Sequence, residues 1–178
     1  MNIYKAIKES SNPESYICYH LTASEPFQKF DFTKHVTGMT HGDGAYFTTS
    51  KQEVKSLASS VIDDPQYVLK AKVTLRHPYH FANEDTSSLL QEVYKLDPNS
   101  KFDDTTYYIS GKMEKGGRIA FYYLDGLSAR LNIDTSELLK KLGFDGVVDG
   151  DYIVAYSNDQ IEQIEWMKYN EFLSKDTN

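Results

Sequence analysis

Three short segments hold the side chains of this chain that are best suited to chemistry: residues 19–22 (YHLT), 42–50 (GDGAYFTTS) and 143–164. His20 offers a ring nitrogen that can donate or accept a hydrogen bond, and Tyr46 offers an aromatic ring face. Asp151 offers a carboxylate, which can stabilise a developing positive charge as the carboxylates of glycosidases do. Such a set could hold a flat ring and a sugar hydroxyl, and place negative charge beside a sugar carbon.

Each of these residues also has an ordinary structural interpretation. A lone histidine in a strand is more often a satisfied core residue than a catalytic one, and strands favour tyrosine in any case. Asp149-Gly150-Asp151 is a good hairpin turn. Asp149 also lies two residues before Asp151 and is the rival for the role of acid. The order of the three segments, rather than any single residue, therefore carries the prediction.

Length and composition restrict the class of protein. The 178 residues predict a single domain spanning 1–178. The 19 Lys and Arg against 26 Asp and Glu give a net charge of -7, which argues against a broad basic surface for nucleic acid but leaves a local groove open. The one cysteine, Cys18, excludes an internal disulfide and cysteine-rich zinc sites, and no spacing of His, Asp and Glu indicates a metal site. Without a membrane-spanning apolar run or a signal peptide, we expect a cytoplasmic protein with no membrane partner.

The elements that must position these residues alternate in the first part of the chain. The pattern predicts a buried strand, a long loop, a short strand, a helix and a half-exposed strand, over 15–21, 22–44, 45–49, 51–62 and 66–75. Ser50 is followed three residues later by Glu53, which is the spacing of a capping box at the start of the helix. A loop as long as 22–44 in a compact domain is usually functional.

The remainder is helical first and then rich in strands. Helices are predicted from Asp85 or Thr86 to Leu96 and over 118–131, with a polar loop between them. Asp134 is placed to cap a helix that Gly143 ends. Strands follow in FDGVV, DYIVAY and QIEQIEWMKY. The fold class is therefore α+β.

In this order, the three segments resemble the ADP-ribosyltransferases with a His-Tyr-acid triad, the branch that includes poly(ADP-ribose) polymerases, diphtheria-toxin-like enzymes and small bacterial and phage versions. That family has His-Gly-Ser/Thr at the end of a strand, a later Gly-x-Gly-x-Tyr-Phe, and an acid before a Tyr-Ile-Val-like strand and Gln-Ile/Val. His20, Tyr46 and Asp151 take the three places, and the flanking matches are Gly42, Gly44, Phe47 and Gln160-Ile161. The resemblance covers roughly 16–81 and 142–165. It implies an ADP-ribosyltransferase-like split antiparallel β-sheet core with a helical insertion at about 82–141.

The resemblance implies NAD as co-substrate and a mono-ADP-ribosyltransferase that modifies a macromolecule. Asp151, Tyr46 and His20 would be catalytic, and the NAD-binding set would be His20, Leu21, Thr22, Gly44, Tyr46, Phe47 and Leu57. The acidic charge favours a protein acceptor slightly over DNA or RNA. The small size suits a bacterial toxin or a phage effector or anti-defence protein, with an antitoxin or inhibitor protein as a further partner. The alternatives are a catalytically inactive binding module and an NAD glycohydrolase.

Three departures from the family pattern accompany the resemblance. Leu21 follows His20 where the family has glycine, and its backbone could still bind the nicotinamide amide. Val54 and Leu57 stand where the family places a serine and a second stacking tyrosine. Asp151 is one methylene shorter than the usual glutamate, which favours single transfer over chain elongation.

Other polar residues are expected to be solvated. His35 and His41 lie in the loop before Tyr46 and could line the nicotinamide or acceptor side, but solvated loop positions are favoured. A small basic patch is formed by Lys112, Lys115 and Arg118; it could bind phosphate or an acceptor, but a solvated loop is favoured. Cys18 is predicted to be buried and inert.

Overall fold

The structure, a computed structural model, describes residues 12–33, 41–60, 62, 64–83, 87–96, 108–109, 112–113 and 116–174. The described residues contain a seven-stranded sheet, a separate two-stranded ribbon and five α-helices. The α+β class is confirmed. No helix among them is long and apolar enough to cross a membrane.

The large sheet is mostly antiparallel, with the order β4-β7-β8-β2-β1-β3-β9. Its strands are β1 (Glu14–Thr22), β2 (Ala45–Thr48), β3 (Tyr67–Leu75), β4 (Pro78–His80), β7 (Gly146–Asp149), β8 (Tyr152–Ala155) and β9 (Ile161–Lys168). The ribbon pairs β5 (Tyr108–Ile109) with β6 (Lys112–Met113). Only β4 and β7 are parallel.

The sheet divides between β1 and β2. Nine pairs join β1 to β3, whereas the ladder between β1 and β2 contains the single pair Tyr19↔Thr48. The two halves face each other across a shared apolar core. Cys18, Leu69 and Val73 from one half lie in the same cluster as Phe47 and Ile153 from the other. The strands that carry His20 and Tyr46 therefore pair only briefly, beside a core that both halves share.

Helices cover the two outer faces of the halves. The helices are α1 (Lys51–Ser60), α2 (Ser87–Leu96), α3 (Gly117–Leu131), α4 (Thr135–Leu142) and α5 (Tyr169–Ser174). Val54 of α1 and Phe172 of α5 pack on Leu21 and Val68. The other half is covered by α2, α3 and α4, whose contributions include Val93, Leu124 and Leu138. These three helices lie between β4 and β7 in the chain, inside the stretch predicted to be a helical insertion.

The predicted capping residues lie at the helix ends, but the side chain of Glu53 binds a different partner from the one predicted. Asp134 accepts a hydrogen bond from the Ser136 amide at 2.7 Å, and Gly143 ends α4 with a φ of 94°. The Ser50 hydroxyl accepts from the Glu53 amide at 3.3 Å. The capping box predicted there is incomplete, because the Glu53 carboxylate accepts from Tyr152 instead.

Several elements differ from the sequence-based expectation. β4, β5, β6 and α5 were not predicted, because each is too short for a periodic pattern to be legible. The strand over 66–75 was expected to bury one face, but Val68 on the other face is fully buried because α1 and α5 lie over it. The predicted helix start at Asp85 or Thr86 lies outside the described residues.

Candidate functional site

His20, Tyr46 and Asp151 belong to three neighbouring strands or their immediate ends. Tyr46 of β2 pairs with Val154 of β8, and Asp151 immediately precedes β8. His20 follows Tyr19, whose partner Thr48 is two residues beyond Tyr46. At about 3.3 Å per residue, Asp151 lies some three residues, ~10 Å, along the β2–β8 ladder from Tyr46. The three sequence-predicted catalytic residues therefore lie in one region of the sheet.

The His20 ring bridges the gap where β1 leaves β2. Its Nδ1 lies 2.8 Å from the Tyr46 carbonyl oxygen. Because a carbonyl oxygen can only accept, Nδ1 carries the hydrogen. Burial lowers the pKa of His20 below its ordinary 6.5, although the bond to Tyr46 opposes this. The ring is therefore neutral at pH 7, and Nε2 keeps a lone pair that can accept a hydrogen bond.

Aromatic side chains surround the same ring. Phe30 and Phe47 lie 5.0 and 5.6 Å from it between ring centroids. Phe27 packs on Phe30 at 4.9 Å and on Trp166 at 5.0 Å. The side chain of Asn158 holds Phe30 by two reciprocal bonds, accepting from its amide at 2.9 Å and donating to its carbonyl at 3.0 Å. The segment of the long loop around Phe30 is thus fastened against His20.

Tyr46 faces the opposite side of the sheet from Phe47. It packs against the cluster that contains α3 and α4. Its hydroxyl donates to the Gly42 carbonyl at 2.7 Å and accepts from the His41 amide at 3.1 Å. Burial raises the pKa of Tyr46, so the phenol stays neutral at ordinary pH. The hydroxyl is therefore bonded to backbone on both sides, and the half-buried ring is the part of Tyr46 that makes no hydrogen bond.

Asp151 occupies the two-residue turn between β7 and β8. Gly150 has a φ of 59° and Asp151 does not have a positive φ, which is the pattern of a type II′ hairpin. The Asp151 carboxylate is exposed and accepts from the Thr49 hydroxyl at 3.1 Å. The Thr49 amide donates to the Asp151 carbonyl at 2.8 Å. The turn predicted from Asp-Gly-Asp is confirmed, and it presents a carboxylate to solvent.

Asp149, the rival acid, is held between two cationic or polar side chains. Its Oδ1 lies 2.8 Å from Arg118 Nη2, and its Oδ2 lies 3.3 Å from His41 Nε2. The guanidinium of Arg118 also lies over the Phe81 ring, 5.2 Å from its centroid. The His41 and Asp149 side chains are only 10% and 16% exposed. Asp149 is therefore largely buried and bound at both carboxylate oxygens, whereas Asp151 is exposed.

His41 and Arg118 correct two expectations. His41 was favoured as a solvated loop residue but is buried, with its ring 5.1 Å from Phe81 and 5.5 Å from Phe121. Burial lowers the pKa of His41, and Asp149 opposes that shift. Arg118 begins the helix predicted over 118–131 and does lie in the first turn of α3, but it was favoured as a solvated residue and instead binds Asp149. His35, Lys115 and the side chain of Lys112 lie outside the described residues.

Glu53 adds a second carboxylate near the turn. It accepts a hydrogen bond from the Tyr152 hydroxyl at 2.7 Å, and this bond raises the pKa of Tyr152 to about 12. Tyr152 is paired with Asp149 across the hairpin. The contact links the start of α1 to the strand that follows Asp151. The sequence offered no signal for it beyond the cap position of Glu53.

Most of the other residues predicted to bind NAD are engaged in packing or in local hydrogen bonds. Leu21 is buried against α1 and is packed in one cluster with Leu57. Phe47 is 2% exposed and belongs to the central core. The Thr22 hydroxyl accepts from the Ser24 amide at 3.0 Å. At Gly44 a Cβ would lie 2.6 Å from a Val154 methyl carbon, so the glycine allows β2 and β8 to pack.

Cys18 is fully buried, as predicted, and burial raises the pKa of its thiol to about 12. Among the described residues, no group of three or more His, Cys, Asp or Glu could hold a metal ion. Comparison of the chain with protein-family models, curated proteins and solved structures gives no significant match. The functional argument therefore depends on the residues themselves.

Proposed function

We propose that this chain is an NAD-dependent mono-ADP-ribosyltransferase that modifies a macromolecule, with a protein acceptor favoured. The observation that carries the proposal is that His20, Tyr46 and Asp151 lie on or immediately beside the neighbouring strands β1, β2 and β8, with the His20 ring bonded to the Tyr46 carbonyl. A neutral imidazole, an aromatic ring face and an exposed carboxylate suit a ribose hydroxyl, a flat nicotinamide and a developing cation, respectively.

The chemistry breaks the bond between the nicotinamide nitrogen and the ribose C1′. The electron pair of that bond leaves with nicotinamide, and C1′ becomes cationic as the bond lengthens. Asp151 would bind the neighbouring 2′-hydroxyl and stabilise this charge, as glycosidase carboxylates do. A nucleophile of the acceptor then bonds to C1′ and loses its proton. The proton would pass to solvent water.

His20 and Tyr46 would orient NAD for this step. In His20 the bond from Nδ1 to the Tyr46 carbonyl aims the ring and leaves Nε2 as an acceptor for a ribose hydroxyl. The Tyr46 ring is fixed by its two bonds to 41–42, so stacking on nicotinamide would cost little side-chain entropy. Catalysis by orientation requires groups that are already fixed, here the His20 Nε2 acceptor and the Tyr46 ring.

The decisive experiment measures two products from labelled NAD. The protein is incubated with NAD labelled on the adenylate side and a cell lysate, and both labelled macromolecules and free nicotinamide are quantified. Asp151→Asn, Tyr46→Ala and His20→Ala are compared with Asp159→Asn, a matched change at an exposed carboxylate away from the split. Loss of one preorganised electrostatic group costs on the order of 10²- to 10³-fold in kcat, so we expect Asp151→Asn to fall by that amount.

The outcomes separate three functions. Label that resists nuclease and is removed by protease supports a protein acceptor, and the reverse indicates nucleic acid. Nicotinamide release without any labelled macromolecule indicates an NAD glycohydrolase. If the unaltered protein gives neither product, the transferase proposal is wrong.

A binding module without turnover is the second candidate. It is favoured by Leu57, which packs into the α1 cluster where a second stacking ring would be expected. A single ring face would hold nicotinamide more weakly than two. Titration of the protein with NAD distinguishes this case, because saturable binding without nicotinamide release supports it.

A further inference from the structure

Asp149 lies at the meeting point of three parts of the molecule. It ends β7, one residue before the turn that carries Asp151. One carboxylate oxygen binds Arg118 at the start of α3, and the other binds His41 at the end of the long loop. Both partners also contact aromatic rings: Arg118 lies over Phe81, and His41 packs against Phe81 and Phe121.

His41 also connects this cluster to Tyr46. The His41 amide donates to the Tyr46 hydroxyl at 3.1 Å, and the His41 carbonyl accepts from Tyr156 at 2.8 Å. Its ring lies 6.1 Å from the Tyr46 ring. A continuous set of contacts thus runs from Tyr46 through His41 to Asp149, which directly precedes the turn that carries Asp151.

We infer that Asp149 is a positioning residue, whose carboxylate joins His41 to Arg118 and so fixes the turn bearing Asp151 relative to Tyr46. The inference rests on the proposed function only for its effect on turnover. The ladders with β4 and β2 and the bond from the Thr49 amide to the Asp151 carbonyl hold the hairpin within the sheet, but the turn must also be fixed relative to α3 and to residues 41–42. The contacts of Asp149 supply that constraint from two other elements.

Both carboxylate oxygens of Asp149 are committed, which separates its role from that of an acid that meets substrate. To bind a ribose hydroxyl, Asp149 would have to leave His41 or Arg118. Because the Asp149 side chain is only 16% exposed, losing a partner would leave its charge poorly compensated. Asp151, two residues later, meets no such obstacle because it is exposed.

The test uses Asp149→Asn, Arg118→Ala, Arg118→Lys and the double variant Asp149→Asn with Arg118→Ala. Asp145→Asn is the matched control, because Asp145 precedes the other end of β7 and accepts from the amides of Arg76 and His77 at 2.7 and 2.9 Å. Nicotinamide release is measured against NAD concentration and pH. Hydrogen exchange is followed in peptides covering 41–47 and 149–152.

For turnover, Asp149→Asn should lower kcat by about 10²-fold with little change in the KM for NAD, since misplacement of about 1 Å costs that much. The double variant should be no worse than Asp149→Asn alone, because both changes remove one connection. Arg118→Lys should recover part of the activity that Arg118→Ala loses. The acidic limb of the pH profile should persist in Asp149→Asn, since the acid itself is still present.

For exchange, Asp149→Asn should speed both 149–152 and 41–47, whereas Asp145→Asn should leave 41–47 unchanged. Loss of the acidic limb in Asp149→Asn would overturn the inference by making Asp149 the acid. Equal effects of Asp149→Asn and Asp145→Asn on kcat and on exchange would also overturn it, because the role would then be merely structural. If the unaltered protein shows no turnover, the proposed function fails, and the exchange of 41–47 alone decides the positioning.

Discussion

Replacing Tyr46 with phenylalanine separates the hydroxyl of this residue from its ring. The hydroxyl makes two bonds, to the Gly42 carbonyl at 2.7 Å and from the His41 amide at 3.1 Å. Each such bond contributes about 1 kcal/mol net, and a partner left unsatisfied in a buried place adds to the cost. We therefore expect Tyr46→Phe to lower the free energy of unfolding by about 2 kcal/mol.

The assay is urea and thermal unfolding followed by circular dichroism. For a domain of this length, 1 kcal/mol corresponds to about 2–4 °C in Tm, so Tyr46→Phe should melt about 4–8 °C lower. Tyr122→Phe is the matched control, because Tyr122 is 45% exposed on α3 and the change should stay within about 0.5 kcal/mol. Indistinguishable melting of the two variants would refute the argument that the hydroxyl holds the backbone at 41–42.

The same variant tests which part of Tyr46 would serve NAD. Phenylalanine keeps the ring face, whereas alanine removes it. If the proposed function is correct, Tyr46→Phe should keep a KM for NAD much closer to that of the unaltered protein than Tyr46→Ala does. Equal KM values for the two variants would show that stacking on this ring does not bind the ligand.

Three further predictions concern stability. The pKa values of His20 and His41 are lowered in the folded protein, so the unfolded chain binds more protons below about pH 6.5. The Tm should therefore be level above that pH and fall below it, and His20→Asn should weaken the fall. A Tm that rises on acidification from about pH 6.5 to about pH 5 would contradict this. Gly146→Ala should lower the free energy of unfolding by more than about 2 kcal/mol in denaturant titrations, since its Cβ would lie 2.5 Å from the Val154 carbonyl oxygen; a loss below about 0.5 kcal/mol would mean that the strands separate easily. Asn158→Ala should speed proteolysis around residue 30 because it removes both bonds to Phe30, and an unchanged cleavage rate there would show that aromatic packing alone holds the segment.

The sequence predicted the parts of the fold that depend on local chemistry. The cap at Asp134, the end of α4 at Gly143 and the turn at Gly150 follow from side-chain acceptors and from tolerance of positive φ, and all three are confirmed. The strand with Tyr46 and the strand that follows Asp151 were recognised from their apolar patterns and occur close to the predicted limits. Such features are encoded within a few residues.

What could not be predicted depends on contacts between distant segments. Nothing near His41 in the sequence says that it is buried, because its surroundings come from Phe81 and Phe121. The pairing of Arg118 with Asp149 joins residues on different elements, so neither flanking sequence contains it. For the same reason, a glutamate in a capping position gave no sign that its carboxylate would bind a tyrosine of β8.

The placement of β9 beside β3 has a consequence for synthesis of the chain. Val73 pairs with Ile161, about 90 residues later, so β3 has an open edge for about 5 to 20 seconds at ordinary ribosomal rates. An open apolar edge invites pairing with other nascent chains. Lys70 and Lys72 stand on that strand, and their eventual partners in β9 are Glu165 and Glu162. The two lysines thus disfavour pairing of β3 with other nascent chains before β9 is synthesised. Once β9 pairs with β3, the two glutamates lie opposite them.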